Sequence, residues 1–229
     1  MIDFRGIFKI PNLTMKYLPS LFGTLLLLSL QTQAQDTIRL QNPSFETAGI
    51  NCNEMPANWK HCGSSDELPP SVQPGCLDVS QTAYHGQKYM SLLTRKNENI
   101  DRICQYLPEN GRLQQDSLYK MRVYLAHAMH LRMPTGKRKR KIQHSYPTML
   151  RVAGYNSQEN QVELLAVTPV IDHTDWRGYD LTFRPAHGTY DVILFEAFYN
   201  WQDLNPTNGN VLIDSISPIV KIGMSDNTA

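Results

Sequence analysis

Across residues 37–220 the apolar side chains recur at every second position, and this period most constrains what the chain can become. Successive side chains of an extended chain point to opposite faces, so alternation at period two marks strands with one face in a core. In the segment 119–125, Tyr119, Met121, Val123 and Leu125 share one face, while Lys120, Arg122 and Tyr124 share the other. Runs of this kind are expected as strands near 37–41, 77–80, 87–93, 101–107, 118–132, 146–154, 161–168, 176–184, 190–200 and 210–220. Gly, Asn, Pro and His-Gly pairs stand between them, as at His85-Gly86, Asn110-Gly111, His187-Gly188 and Asn208-Gly209. No stretch has a helical period. The reading is all-β: an antiparallel two-sheet β-sandwich.

The charged fraction, 19%, is low and no acidic or low-complexity tract occurs, which excludes a disordered chain. The N-terminus differs from the rest. A basic stretch precedes the apolar block Leu18 to Leu30, and Thr32-Gln33-Ala34 follows as a small-x-small exit. This is the form of a secretion signal over 1–34, with translation expected to start at Met15. Thirteen apolar residues are too few for a membrane span, which needs about 20. Removing 1–34 takes Asp3, Arg5, Lys9 and Lys16, turning a net charge of +1 into −1. A secreted chain of 35–220, with a short tail at 221–229, is therefore expected to be near neutral and to have no membrane span.

Cys52, Cys62, Cys76 and Cys104 all fall in the exported part, where disulfides persist. Three connectivities are open; a Cys52 bridge to Cys62 is the one that closes a short loop around Trp59. A zinc site is disfavoured because no C-x-x-C pair is present. His127 and His130 are three apart, so on an extended strand they face opposite ways and cannot share a metal. The run Lys137, Arg138, Lys139, Arg140 and Lys141 reads as a solvated hairpin tip or as a contact for an anionic polymer such as an acidic glycan. Export sets nucleic acid aside.

Catalytic signatures are missing: there is no G-x-S-x-G elbow, no phosphate-cradling glycine loop and no H-E-x-x-H. Glu196 and the aspartates of Asp172-His173-Thr174-Asp175 supply carboxylates, but glycoside hydrolysis needs two that face each other. The expectation is a protein that is not an enzyme.

An ordered series of short motifs carries a resemblance. Asn42-Pro43-Ser44-Phe45-Glu46 opens it, and Pro56-x-x-Trp59 and His85-Gly86-x-x-Tyr89-x-x-Leu92 follow. Then come Tyr119 with Val123 to Ala126, Asp175-Trp176-x-x-Tyr179, and the closing Asn208 to Asp214. The series resembles the galactose-binding-like jelly roll of carbohydrate-binding modules of families four and nine, in the form found in secreted gliding-motility-associated proteins of Bacteroidetes. The resemblance implies a jelly roll whose first and last strands lie together. It also implies a structural calcium held by Glu46 and Asp214 with backbone carbonyls near Asn42. Calcium takes six to eight oxygens; the alternative is that both carboxylates accept backbone amides at strand ends.

Sugar recognition by such a module rests on flat rings against pyranose C–H faces and on polar neighbours for the hydroxyls. Candidate ligand contacts are Tyr199 and Trp201, with Asn205 in the following loop, and Tyr124 with Arg122 on the outward face of the long strand, with Arg151 expected on a neighbouring strand. Trp59 and Trp176 are expected in core or corner packing. The expected function is glycan binding without turnover; the alternative is an adhesion or structural module for a protein partner, and a jelly-roll glycosidase or polysaccharide lyase ranks third.

Overall fold

The computed structural model describes residues 36–46, 51–63, 68–135, 140–200 and 205–223. The segment 1–34 expected to direct export, the basic residues Lys137, Arg138 and Lys139, and Trp201 lie outside them. The strands are β1 (Thr37–Ile38), β2 (Lys60–His61), β3 (Ser71–Gln73), β4 (Tyr89–Thr94), β5 (Arg102–Tyr106), β6 (Leu118–Ala126) and β7 (Arg132–Thr135). They continue with β8 (Arg140–Gln143), β9 (Tyr146–Asn156), β10 (Gln161–Val167), β11 (Arg177–Phe183), β12 (Val192–Tyr199), β13 (Gly209–Asp214) and β14 (Ile219–Ile222).

They form an all-β, two-sheet sandwich of jelly-roll type. In one sheet β6 is flanked by β11 on one side and by β13 and β14 on the other; β4 and β3 extend it beyond β13, and β1 pairs with β14. The other sheet runs β10, β9, β12, β5, β2, all antiparallel. The start of β9 crosses to pair with β13 in parallel at Tyr146 and Pro147, tying the sheets together at one end. First and last strands lie side by side, as the resemblance implied.

The core lies between the inner faces. Met121, Val123 and Leu125 of β6 meet Leu150 and Val152 of β9 and Phe195 of β12, each at most 1% exposed. Burying each such side chain contributes about 1.5–3 kcal/mol. Trp59 is 4% exposed, packed between Phe45 and Phe195, and its indole N–H donates to the Asn42 carbonyl at 2.9 Å. Trp176 sits edge-on to Tyr89 and donates to the Thr82 carbonyl. Both tryptophans pack as expected.

Three expected strands end differently. The one expected over 210–220 is two, β13 and β14, because the chain breaks at Ser215, which has positive φ, and Pro218 follows. Residues 77–80 form a turn, with Leu77 and Asp78 at positive φ, and Val79 packs with Tyr89 and Leu212 on the outer face of the first sheet. Its alternation was real, but it belongs to a loop lid rather than a ladder. The strand expected over 118–132 stops at Ala126. Beyond it the Asn210 side chain of β13 takes the place of a strand partner, accepting from Ala128 N–H at 2.8 Å and donating to the Ala128 and His144 carbonyls. The chain then turns into the β7–β8 hairpin, where Lys141 bridges both oxygens of Asp78 at 2.9 and 2.8 Å. Residues 60–61 and 71–73 pair as short strands that sequence pattern alone did not mark.

The disulfides are Cys52–Cys76 and Cys62–Cys104, not the short Cys52 to Cys62 loop. Cys52 is held beside β3, where its carbonyl accepts from Val72, and Cys76 stands three residues past the end of β3, its N–H donating to the Gln73 side chain. Cys62 lies beside β5, its N–H donating to the Arg102 carbonyl. Strand pairing, not loop length, chose the partners.

Candidate functional site

The outer face of the second sheet is built by register. Along β5, Arg102, Cys104 and Tyr106 point out while Ile103 packs in the core; along β12, Val192, Leu194 and Glu196 point out while Ile193, Phe195 and Ala197 point in. Cross-strand pairing lines these up in three rows. One row reads Tyr106, Val192, Tyr155, Val162; the next Lys60, Cys104, Leu194, Ala153, Leu164; the third Arg102, Glu196, Arg151, Val167. Tyr106 and Tyr155 are therefore two strand spacings apart, about 10 Å, with Val192 between them.

These rows enclose a groove of about 230 Å³, lined by Cys62, Arg102, Cys104, Tyr106, Tyr155, Val162, Val192 and Leu194. Its floor is apolar: Val192, Leu194 and Cys104 are 2–6% exposed although they face outward. One wall is Tyr106, 52% exposed, with the Lys60 ammonium 4.5 Å from its ring centre. The other wall is Tyr155, whose hydroxyl donates to Asn160 at 3.1 Å. Rigid rings flanking an apolar strip, with hydroxyls and charged groups at the ends, form a surface suited to stacking and to hydroxyl recognition.

A buried charge cluster closes one end. Arg102 donates to Glu196 Oε2 from Nε at 2.7 Å and from Nη2 at 2.6 Å, and Arg151 donates to Oε1 from Nε at 2.5 Å and also from Nη2. The Arg151 guanidinium also lies 3.5 Å over the Phe198 ring. Glu196 is 5% exposed, and both its oxygens are engaged. A carboxylate at this depth is retained because two cations meet it with hydrogen bonds.

Of the sequence-derived ligand contacts among the described residues, only Arg151 reaches this groove's end; the others lie away from it in two separate places. Arg122 and Tyr124 lie on the outer face of the first sheet. Arg122 grips Asp180 through Nε at 2.9 Å and Nη2 at 2.6 Å, and Tyr124 stacks on Tyr84 with ring centres 3.6 Å apart. The Arg122 hydrogen bond holds the Asp180 carboxyl below its usual range. Arg151, expected beside them, belongs to the other sheet because β9 pairs with β12 and β10 rather than with β6. Tyr199 points its hydroxyl to the Arg95 carbonyl at 2.8 Å at one end of the sandwich, and Asn205 is exposed in the loop before β13. A cavity of about 410 Å³ lies at that end, lined in part by Arg95, Lys96, His144 and Asn208. Sequence reasoning missed Tyr106, Tyr155 and Arg102; the alternation of 102–106 was the available signal, but the rows exist only once the register is set.

Glu46 and Asp214 do converge, on the turn at 84–88. Glu46 accepts from the amides of Gln87 and Lys88 at 3.0 and 3.1 Å, and Asp214 from those of His85 and Ser215 at 3.0 and 2.6 Å. Gly86 has a φ of +67°, and a Cβ there would stand 2.3 Å from a Glu46 oxygen, so a larger residue would strain the turn and displace the Glu46 carboxylate. Burial pushes Asp214 up to about 6; its amide contacts pull it back and the Glu46 charge adds to the rise. The amide-accepting arrangement is thus present. Two mutually repelling carboxylates are also the hard oxygen donors that calcium takes, though six to eight oxygens are required in all.

His127 is buried, its Nδ1 3.1 Å from the Asn210 carbonyl, while His130 is exposed. His173 lies between the Asp175 carbonyl and the Tyr179 hydroxyl, at 2.7 and 2.6 Å. Among the described residues no group of three or more His, Cys, Asp or Glu could hold a metal ion, and no helix is long and apolar enough to cross a membrane.

No protein-family model matches the chain, and no curated protein does. Solved structures match in fold. The CBM22-1 xylan-binding domain from Paenibacillus barcinonensis aligns at a TM-score of 0.50 and 15% identity, over 84% of this chain and 98% of that one. The CBM22-1 and GH10 modules of a Clostridium thermocellum xylanase align at 0.46 and 12%, over 85% of this chain, which spans only 30% of that protein. A cyclase from Fischerella sp. TAU aligns at 0.49 and 12%, over 81% and 96%. The resemblance to families four and nine and to gliding-motility proteins narrows accordingly to a shared jelly-roll sandwich, whose solved likenesses include carbohydrate-binding modules of family 22.

Proposed function

We propose that the chain is an exported, non-catalytic glycan-binding module and that the outer-face groove of the second sheet is its site. The observation that carries the proposal is the exposed Tyr106 ring facing Tyr155 across an apolar floor, with Arg102 at one end. A solvent-facing aromatic beside a dry strip is costly to leave bare and suits a pyranose face. The family 22 domain of like fold is a xylan-binding domain, which makes polysaccharides the first class to test. Absence of turnover is supported by Glu196, whose oxygens are both held by guanidinium groups rather than poised toward the groove.

Affinity electrophoresis on neutral and acidic polysaccharides tests the reading. Wild-type protein is expected to be retained, and Tyr106→Ala to lose about tenfold or more in affinity with an unchanged melting curve, the mark of a truncated aromatic anchor. Failure of every polymer to retard the protein overturns the proposal, and release of reducing ends or unsaturated products overturns its non-catalytic part. Calcium at Glu46 and Asp214 belongs to the same proposal: it would relieve their repulsion and lock the 84–88 turn, so a chelator is expected to lower the melting temperature. The basic hairpin is a second contact for anionic polymer, through Arg140 rather than Lys141, which Asp78 occupies.

A second reading, adhesion to a protein partner, is favoured by one feature. Val162, Leu164 and Val167 stand 63%, 52% and 40% exposed along β10. Retention by no glycan would move this reading to the front.

A further inference from the structure

We infer that the occupant of the groove is a uronate-bearing polysaccharide, an inference that rests on the glycan reading above and specifies its substrate class. The argument is one of charge and shape. Among the described residues the groove lining holds one cation, Arg102, and no carboxylate. Glu196 lies beneath, 5% exposed, and is shared between two guanidinium groups, so the cluster keeps a net positive charge after pairing. Arg102 and Arg151 retain 34% and 23% of their side-chain surface. The Lys60 ammonium adds a further positive charge at the Tyr106 wall.

Each guanidinium carries five N–H donors in a planar fork. Glu196 takes Nε and Nη2 of each, and Nη1 of Arg102 reaches the Cys62 carbonyl only at 3.5 Å. Donors therefore remain for an incoming acceptor, and the shape they match is a carboxylate. A neutral sugar satisfies the tyrosine hydroxyls and the apolar floor but leaves this field unanswered; a uronate answers both. Tyr106 and Arg102 are four residues apart on one strand face, about 13 Å. That distance exceeds one pyranose ring, so the aromatic wall and the cationic end engage different sugars of one chain.

The test compares polygalacturonate and alginate with the same polymers after chemical reduction of their carboxyl groups, using dextran sulfate as a charge-only control. Binding to at least one polyuronate is expected to be about tenfold or more tighter than to its reduced form, and Arg102→Lys, which keeps the charge but loses the fork, is expected to remove that preference. Equal affinity for polyuronates and their reduced forms overturns the inference while leaving glycan binding intact. Dextran sulfate binding as tightly as the polyuronates overturns it in favour of charge alone. Retention by none overturns both readings. Should Arg102→Lys fail to fold, the wild-type comparison decides.

Discussion

Replacing Glu196 by glutamine keeps the shape of the side chain and removes the charge that two guanidinium groups share. Breaking a buried ion pair by removing one partner costs about 3–5 kcal/mol, because the other charge is left in a poor solvent. Glu196 is 5% exposed, but Arg102 and Arg151 keep 34% and 23% of their side-chain surface, so water relieves part of the loss. About 2–3 kcal/mol is expected for Glu196→Gln. In a domain of this size each kcal/mol lowers the melting temperature by about 2–4 °C, which gives about 4–12 °C. Urea denaturation followed by tryptophan fluorescence measures it, since Trp59 packs on Phe195, next to Glu196 in sequence. The midpoint should fall at constant slope. The triple substitution Arg102→Met, Glu196→Leu and Arg151→Met should regain most of the stability, because it removes all three charges together. A loss below about 0.5 kcal/mol, the range of an ordinary surface substitution, refutes the reasoning. A triple variant as weak as Glu196→Gln refutes its desolvation part. Because Glu196→Gln leaves both guanidinium groups in place and raises the net charge of the cluster from +1 to +2, it should lose stability and bind polyuronate at least as tightly as the wild type.

Other outcomes follow from the same structure. Gly154→Ala places a Cβ 2.6 Å from the Tyr190 ring and should cost about 1–3 kcal/mol by overpacking, read from the urea midpoint. His127 and His144 are buried, and desolvation lowers both below the ordinary value of 6.5. Their neutral forms fit the fold, so the stability they contribute is complete above pH 6.5 and is lost as pH falls through their lowered values. Asp214, held up at about 6, titrates in the same window with the opposite sign, so the His effect is read as a difference: between pH 7.5 and 5.5 the wild-type midpoint should fall relative to that of the His127→Gln/His144→Gln variant, and two midpoints that move in parallel would refute it. Removing Cys62–Cys104, with a sequence separation of 42, should cost about 4 kcal/mol, and removing Cys52–Cys76, with a separation of 24, about 3.5 kcal/mol. A clearly larger loss for the shorter loop would show that native contacts, not chain entropy, set the order.

The sequence by itself determined the architecture, because period two is a local property: whichever strands pair, Met121, Val123 and Leu125 must share a face and need a second sheet to cover them. That Glu46 and Asp214 approach one turn came only with the family resemblance, which set them in its opening and closing motifs; in the structure they accept from amides of the 84–88 turn. The groove was not legible in the sequence. Arg102, Glu196 and Arg151 are separated by 94 and 45 residues, and no local pattern says that β5, β12 and β9 lie side by side in this register. A shift of one residue in any of these strands would turn its row into the core. Tyr124 and Tyr199 looked like ligand contacts because each is an aromatic on an alternating strand; the tertiary structure gives one to a stack with Tyr84 and the other to the Arg95 carbonyl. Periodicity decides which side chains leave the core, and only the register between distant strands decides which of them meet.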